Sequence, residues 1–441
     1  MTLHFDLTDV AAHASACRSM TGVQRVQIEY ARYLLGHREL SVDVFANLHG
    51  AHADLAPLFQ DPHSLGDEAV FLQIRRLFQL APPVGFSRRT FADARANGAL
   101  KVRSATARLR DAVASPMPRF GPSSSLYVGG AFWAHPRSVR IYEQAAKAGC
   151  DVVVLYHDVL PIVAPDLANS NCRPLYERML RLPTRALTVS KHSQAQIERA
   201  RHAVGAPRNA SPVRIVPLAH EFSAAPRNFV PDEAPSPRVA ALDRDGEPFV
   251  LCVGTIEARK NQLPLLGLWE KLAREMGPGW PRLVVAGKRG WRASEAIRAL
   301  RRGDPAGPYV WLETPTDAEL AFLYARAKFT VFPSLIEGWG LPIGESLWFG
   351  KPCVVSNTSS MPEVGGALCS YADPHAIDSF ASPIIRLVQD AEFFRSSVAA
   401  IRASRLRTWR ESAEALFEAL TLHEGVRTTS ARTADEREAA V

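Results

Sequence analysis

Residues Phe329 to Glu345 read FTVFPSLIEGWGLPIGE. The stretch opens on Phe329-Thr330-Val331-Phe332, whose β-branched and aromatic residues suit a buried strand. Pro333 and Ser334 stop that strand, and a loop follows over Glu337-Gly338-Trp339-Gly340-Leu341. Pro342 is expected as the first residue of a helix, where its missing N–H costs nothing. Gly350 is placed to end that helix, just before the apolar strand Pro352-Cys353-Val354-Val355. Two carboxylates, Glu337 and Glu345, therefore flank a glycine-bearing loop at a helix N-terminus, a natural seat for phosphate. Spacing alone fits equally well an ordinary strand–loop–helix connection with two solvated glutamates.

Outward from this stretch, strand-like and helix-like segments alternate. In the C-terminal half the strand candidates are Phe249–Val253, Arg282–Ala286, Val310–Leu312, Phe329–Phe332 and Pro352–Val355. In the N-terminal half they are Leu3–Leu7, Val42–Ala46, Ser125–Gly129, Asp151–Tyr156, Arg185–Ser190 and Val213–Val216. Helix-like stretches separate them, among them Val26–Leu35, Pro136–Ala148 and Ser193–Ala203. Near-continuous apolar strands alternating with helices predict an α/β fold with parallel sheets covered on both faces. Ligands in such sheets bind beyond the C-terminal strand ends, where His157-Asp158 and Ser190-Lys191-His192-Ser193 fall. Pro226, Pro231, Pro235, Pro237 and Pro248 mark an interdomain linker over 223–248. The expected division is a first domain over 1–222, the linker, a second domain over 249–404, a terminal helix over 405–422 and a disordered tail over 423–441.

A length of 441 residues suits two domains, and 47% hydrophobic with 22% charged residues are values of a globular protein. No apolar run approaches the ~18 residues that span a bilayer. The N-terminus lacks a basic leader, and six scattered cysteines form no C-x-x-C pair; both point to a cytoplasmic protein with reduced thiols. Net charge is +7, which favours anionic partners. Nine basic residues against Asp93 alone lie between Arg75 and Arg110, inside an irregular insertion over about 50–120, interleaved with apolar residues. That run reads as a solvated helical face or as a basic surface for peripheral contact with an anionic membrane. No recognisable module supports nucleic acid as a partner. Asp243-Arg244-Asp245 copies a D-x-D metal motif but lies in the proline-rich linker, so no metal site is assigned.

The strand over Phe249–Val253 runs into Gly254-Thr255-Ile256-Glu257-Ala258-Arg259-Lys260-Asn261. Arg259 and Lys260, adjacent cations at a strand end, suit an anionic ligand: Arg forks onto phosphate oxygens and Lys supplies a point charge. Together with Glu337–Glu345, Gly350-Lys351-Pro352 and Pro362-Glu363-Val364-Gly365-Gly366, this pattern resembles glycosyltransferase family 4. The similarity covers nearly the whole second domain. In the first domain it rests on looser matches at Thr21-Gly22-Val23-Gln24-Arg25, His157-Asp158 and Val189–Ser193.

The resemblance implies a GT-B fold, two Rossmann-like domains facing across a cleft, with Leu406–Leu420 crossing back onto the first domain. It implies that Arg259 and Lys260 bind the diphosphate of a sugar-nucleotide co-substrate and that Glu337 bonds hydroxyls of the transferred sugar. The N–H groups of Trp339, Gly340 and Leu341 would lie close by, Glu345 would grip the ribose, Gly22 would approach phosphate and acceptor, and His157 would line the sugar site. The family retains anomeric configuration without a metal cofactor, and fixed cations at the leaving diphosphate stabilise charge as it develops. Two departures are Thr255, where many relatives carry Arg, and Trp339 in place of a commoner Phe. The expected activity is sugar transfer to a lipid-linked or oligosaccharide acceptor at the inner membrane face. The motif wording leans towards mannosyltransferases of bacterial surface polysaccharide such as lipopolysaccharide. The alternatives are a sugar-nucleotide 2-epimerase and a catalytically silent, sugar-nucleotide-binding subunit of a polysaccharide assembly complex.

Overall fold

A computed structural model describes residues 2–17, 20–48, 51–59, 67–77, 117–207, 211–242, 248–303 and 307–421. The basic run beyond residue 77, the Asp243-Arg244-Asp245 triplet and the tail from 423 lie outside the described residues.

The N-terminal half holds a seven-stranded sheet in the order β3-β2-β1-β4-β5-β6-β7. Its strands are β1 (Thr2–Asp6), β2 (Ser41–Leu48), β3 (Ala51–Asp54), β4 (Ser124–Val128), β5 (Asp151–Tyr156), β6 (Arg185–Thr188) and β7 (Arg214–Ile215). Strand β1 is internal, with Phe5 level with Val44 on one side and Tyr127 on the other. All pairings are parallel except β2 with β3, where Phe45 opposes Asp54. That edge strand begins inside the segment expected to be irregular, and so does the helix Asp67–Leu77.

The C-terminal half holds a parallel six-stranded sheet in the order β10-β9-β8-β11-β12-β13. Its strands are β8 (Phe249–Val253), β9 (Arg282–Ala286), β10 (Tyr309–Leu312), β11 (Thr330–Phe332), β12 (Cys353–Ser356) and β13 (Ser370–Ala372). Helices cover both faces, and the central strands are buried almost throughout, which explains their unbroken apolar runs. Strand β13, with only three residues and partial exposure, carried no apolar signal.

Three helices matter for the site: α1 (Thr8–Ala16), α2 (Gly22–Leu35) and α3 (Lys191–Ala203). Helix α2 starts four residues earlier than its apolar pattern predicts, so Gly22 is its first residue rather than a preceding one. The Gln24 side chain folds back to accept from the Thr21 N–H at 3.1 Å, which fixes that start. Farther on come α4 (Leu341–Trp348) and α5 (Trp409–Thr421). Pro342 is the second residue of α4, not its first, and Gly350 at φ +71° turns the chain out. Helix α5 crosses back onto the N-terminal half, against α2 and the start of β6: Tyr30 OH lies 2.8 Å from Ser412 Oγ, and Arg185 Nη1 donates to the Ala419 carbonyl at 2.8 Å.

Over residues 223–242 the proline-rich stretch is irregular apart from Pro237–Ala240, yet it is not detached. Ala225 and Val239 are buried in a cluster with Phe249, Tyr324 and Phe349. Proline removes regular hydrogen bonding without removing contact.

Candidate active site

The C-terminal strand ends of both sheets face one cleft of about 400 Å³. Gly22 and Arg25 on α2, His157 after β5, Arg259 and Lys260 after β8, and Glu337 to Leu341 and Glu345 after β11 all line it. All nine residues given site roles by the resemblance are thus brought to the same space, whereas Ser190–Ser193 are not in its lining. The halves approach closely: a Cβ at Gly338 would fall 1.9 Å from the His157 carbonyl oxygen, and one at Gly22 would fall 2.7 Å from Leu341 Cδ1. Ser190 Oγ donates to the Gly338 carbonyl at 2.8 Å. Glu363 accepts from the N–H groups of Lys191 and His192, both at 2.8 Å, so a carboxylate from one half caps helix α3 of the other.

At the centre, Glu337 lies between the two cations. Its Oε2 accepts from Arg259 Nη1 at 2.6 Å and its Oε1 lies 2.6 Å from Lys260 Nζ. Burial raises the pKa of a carboxyl, but here the Arg259 and Lys260 charges outweigh it and hold Glu337 down at about 2. Arg259 also pairs with Glu257 at 3.0 Å. Burial opposes the guanidinium charge, while Glu337, Glu257 and Asp158 overcome it and keep Arg259 above its ordinary value. A short 3-10 turn, Ala258–Lys260, carries the cations, and Asn261 at φ +59° links it to the helix Gln262–Met276. Gly340, at φ +110°, sets up the first turn of α4 in a conformation that a side chain would strain.

Glu345 sits 6% exposed on α4, where burial raises its pKa while Arg25 and a hydrogen bond from Tyr324 OH at 2.7 Å pull the other way. Arg25 Nη1 approaches Glu345 Oε1 at 3.3 Å, and Arg25 Nη2 donates to Asp317 Oδ1 at 2.6 Å. His157 Nε2 donates to the Gly129 carbonyl at 2.9 Å, and burial lowers its pKa, which keeps the ring neutral. His157 is therefore both satisfied by its own half and part of the cleft wall. The Trp339 indole is buried and faces the His220 ring edge-on at 6.4 Å, while its carbonyl accepts from Ser360 Oγ.

Sequence reading assigned no role to Arg25, Asp317, Tyr324 or Asp9. Asp9 Oδ2 accepts from Gln24 Nε2 at 2.7 Å and Gln27 Nε2 at 2.9 Å, which holds the start of α2 against α1. The signal available was the Gln24 and Arg25 pair inside the quoted Thr21–Arg25 motif. Among the described residues no group of three or more His, Cys, Asp or Glu is placed to hold a metal ion. Nor, among them, is any helix long and apolar enough to cross a membrane.

The family described as "Glycosyl transferases group 1" matches residues 238–405. The chain carries a group 1 glycosyl transferase domain. That domain includes the cation turn, Glu337, Glu345 and Glu363. Similarity to curated proteins extends beyond it. Over 142 residues the chain is 38% identical to the O-antigen chain mannosyltransferase B of Escherichia coli, covering 32% of this chain and 37% of that protein. Over 299 residues it is 27% identical to the serotype-specific mannosyltransferase WbdA of Escherichia coli, covering 65% of this chain and 36% of that one. The chain thus spans little more than a third of the length of these relatives. Among solved structures, sucrose-phosphate synthase from Thermosynechococcus elongatus superposes with a TM-score of 0.55 at 16% identity, covering 98% of this chain and 100% of that one. Anabaena HepE, solved with UDP and glucose, superposes with a TM-score of 0.53 at 15% identity over the same shares. The glycosyl transferase domain and the sheet it faces form a GT-B fold.

Proposed function

We propose that the protein is a retaining glycosyltransferase that moves a sugar from a nucleotide-diphosphate donor to a lipid-linked or growing glycan. The similarity to mannosyltransferases of O-antigen and serotype-specific type favours mannose as the sugar and bacterial surface polysaccharide as the product. The observation that carries the reading is Glu337 held between Arg259 and Lys260 at a cleft shared by both halves. Departure of a nucleoside diphosphate places negative charge on its terminal phosphate, and cations already fixed in place stabilise that charge without reorganising. Glu337 supplies the fixing. An ionised carboxylate has about four acceptor positions, so it keeps capacity for sugar hydroxyls while holding both cations. Side chains fill the electrostatic role in this reading, with no metal cofactor, and chelation by EDTA is expected to leave turnover unchanged. The same reading places the protein at the inner face of the cell membrane, in peripheral contact with anionic lipid, which co-sedimentation with anionic and neutral liposomes tests.

The test is release of nucleoside diphosphate from a panel of sugar nucleotides with and without glycan acceptors, with product configuration read by NMR. Acceptor-dependent release with retained configuration is expected. No turnover with any donor overturns the reading. Conversion of the donor without acceptor points instead to an epimerase, and binding without turnover to a silent subunit.

A further inference from the structure

Four cations line the cleft, and three are matched by carboxylates. Arg25 pairs with Asp317 and Glu345, Arg259 with Glu257 and Glu337, and Lys260 with Glu337. The fourth, Lys288, follows β9 and has no carboxylate partner among the described residues. Its Nζ lies 3.4 Å from His13 Nε2 and 3.8 Å from Cys17 Sγ, both reached across the cleft in the other half. An ammonium faced by a ring nitrogen and a sulfur atom, with no carboxylate beside it among the described residues, leaves its charge available to a ligand anion.

Its position indicates which anion. A Cβ at Gly287 would fall 1.9 Å from the Gly254 carbonyl oxygen, so the ends of β8 and β9 are in direct backbone contact. The next link is the Ile256 N–H, which donates to the Lys288 carbonyl at 2.8 Å. On the other flank, a Cβ at Gly254 would lie 3.6 Å from Lys260 Cε. Lys288 and Lys260 thus rise beside one glycine-lined floor, and the approach of two backbones there leaves room for a phosphate chain rather than for side chains.

We propose that Lys288 is a further binding residue of the nucleotide site, an uncompensated cation that contacts the phosphate oxygens of a nucleoside diphosphate. The proposal rests on the donor reading above and deepens it. Arg259 and Lys260 arrive at the ligand already neutralised by Glu337. Lys288 supplies the net positive charge that draws an anion in, and a point charge tolerates the shift of phosphate geometry as the sugar departs.

Isothermal calorimetry tests this with ADP, CDP, GDP and UDP on the wild-type protein, then with the tightest of them on Lys288→Ala, Lys288→Arg and His13→Ala, each first checked for an unchanged melting temperature. Lys288→Ala is expected to weaken diphosphate binding about 10-fold and to flatten its salt dependence, with Lys288→Arg recovering most of the loss. His13→Ala, which keeps the charge and removes the nearer of its two contacts across the cleft, is expected to bind as wild type does. Unchanged affinity in Lys288→Ala overturns the proposal, and so does an equal loss in His13→Ala, because the lysine would then act as a tether between the halves. Should the wild type bind none of the four diphosphates, the donor reading itself falls and this inference falls with it.

Discussion

Arg25 Nη1 and Glu345 Oε1, 320 residues apart in sequence, face each other at 3.3 Å across the cleft. The guanidinium comes from α2 of the first half and the carboxylate from α4 of the second. Arg25 also lies over the Phe222 ring, 5.0 Å from its centre, so it is held from three sides. A residue assigned no chemistry from sequence is therefore what positions one that was.

Removing Arg25 should be costly. Arg25→Ala leaves Glu345 and Asp317 without their cation, and breaking a buried pair costs about 3–5 kcal/mol. Protonation of Glu345 recovers part of that, so a loss of about 3 kcal/mol is expected in urea unfolding at pH 7. Arg25→Lys keeps the charge but not the two-pronged contact, and should recover less than half of it.

The two glutamates respond to acid with opposite signs. Glu337 has a folded pKa of about 2 against an ordinary 4.5, so its contribution is present above 4.5 and is lost as pH falls towards 2. The shift corresponds to on the order of 3 kcal/mol. Glu345 is raised by burial, so its ionisation costs stability as pH climbs from 4.5 through its folded value. Glu337→Gln should therefore flatten the acid side of the stability curve, measured by unfolding between pH 5 and pH 2.5, and Glu345→Gln should not.

On the proposed donor reading, Arg259→Ala and Lys260→Ala each remove one fixed cation from the developing diphosphate charge. Turnover is expected to fall about 10²–10³-fold, the scale of a single oxyanion donor, with a smaller change in KM. Single-turnover release of nucleoside diphosphate measures it. Retained turnover in either variant would remove that residue from the mechanism.

Gly338 tests how closely the halves must meet. An alanine there places its methyl carbon 1.9 Å from the His157 carbonyl oxygen, a backbone atom that cannot move aside cheaply. Gly338→Ala should abolish most turnover and widen the particle in small-angle scattering. Gly205→Ala is the control for conformation without contact, since Gly205 has φ +68° and open space around it.

Much of this was legible in the sequence. The central strands of both sheets bury both faces, so their apolar runs stood out against polar surroundings. The cation turn and the Glu337–Glu345 loop are contiguous, so their chemistry could be read locally. What escaped was what lies far apart in the chain. Nothing near Arg25 announces Asp317 or Glu345, and nothing near Glu363 announces that it caps a helix beginning at Lys191. Strands β3 and β13 sit at sheet edges, where short length and partial exposure erase the pattern. The proline-rich stretch misled in another way, because prolines that read as a linker sit among buried side chains, Ala225 in irregular backbone and Val239 in a single helical turn.

Helix α5 has a consequence for synthesis on the ribosome. Trp409, Leu416 and Leu420 complete the apolar core around Tyr30, Leu34 and Ile28, which emerge nearly four hundred residues earlier. The N-terminal sheet can pair as soon as β7 is made, but its outer layer stays uncovered until the chain has been translated past residue 409. A nascent N-terminal half therefore displays a greasy face throughout translation of the C-terminal half, making it a natural client for a holding chaperone.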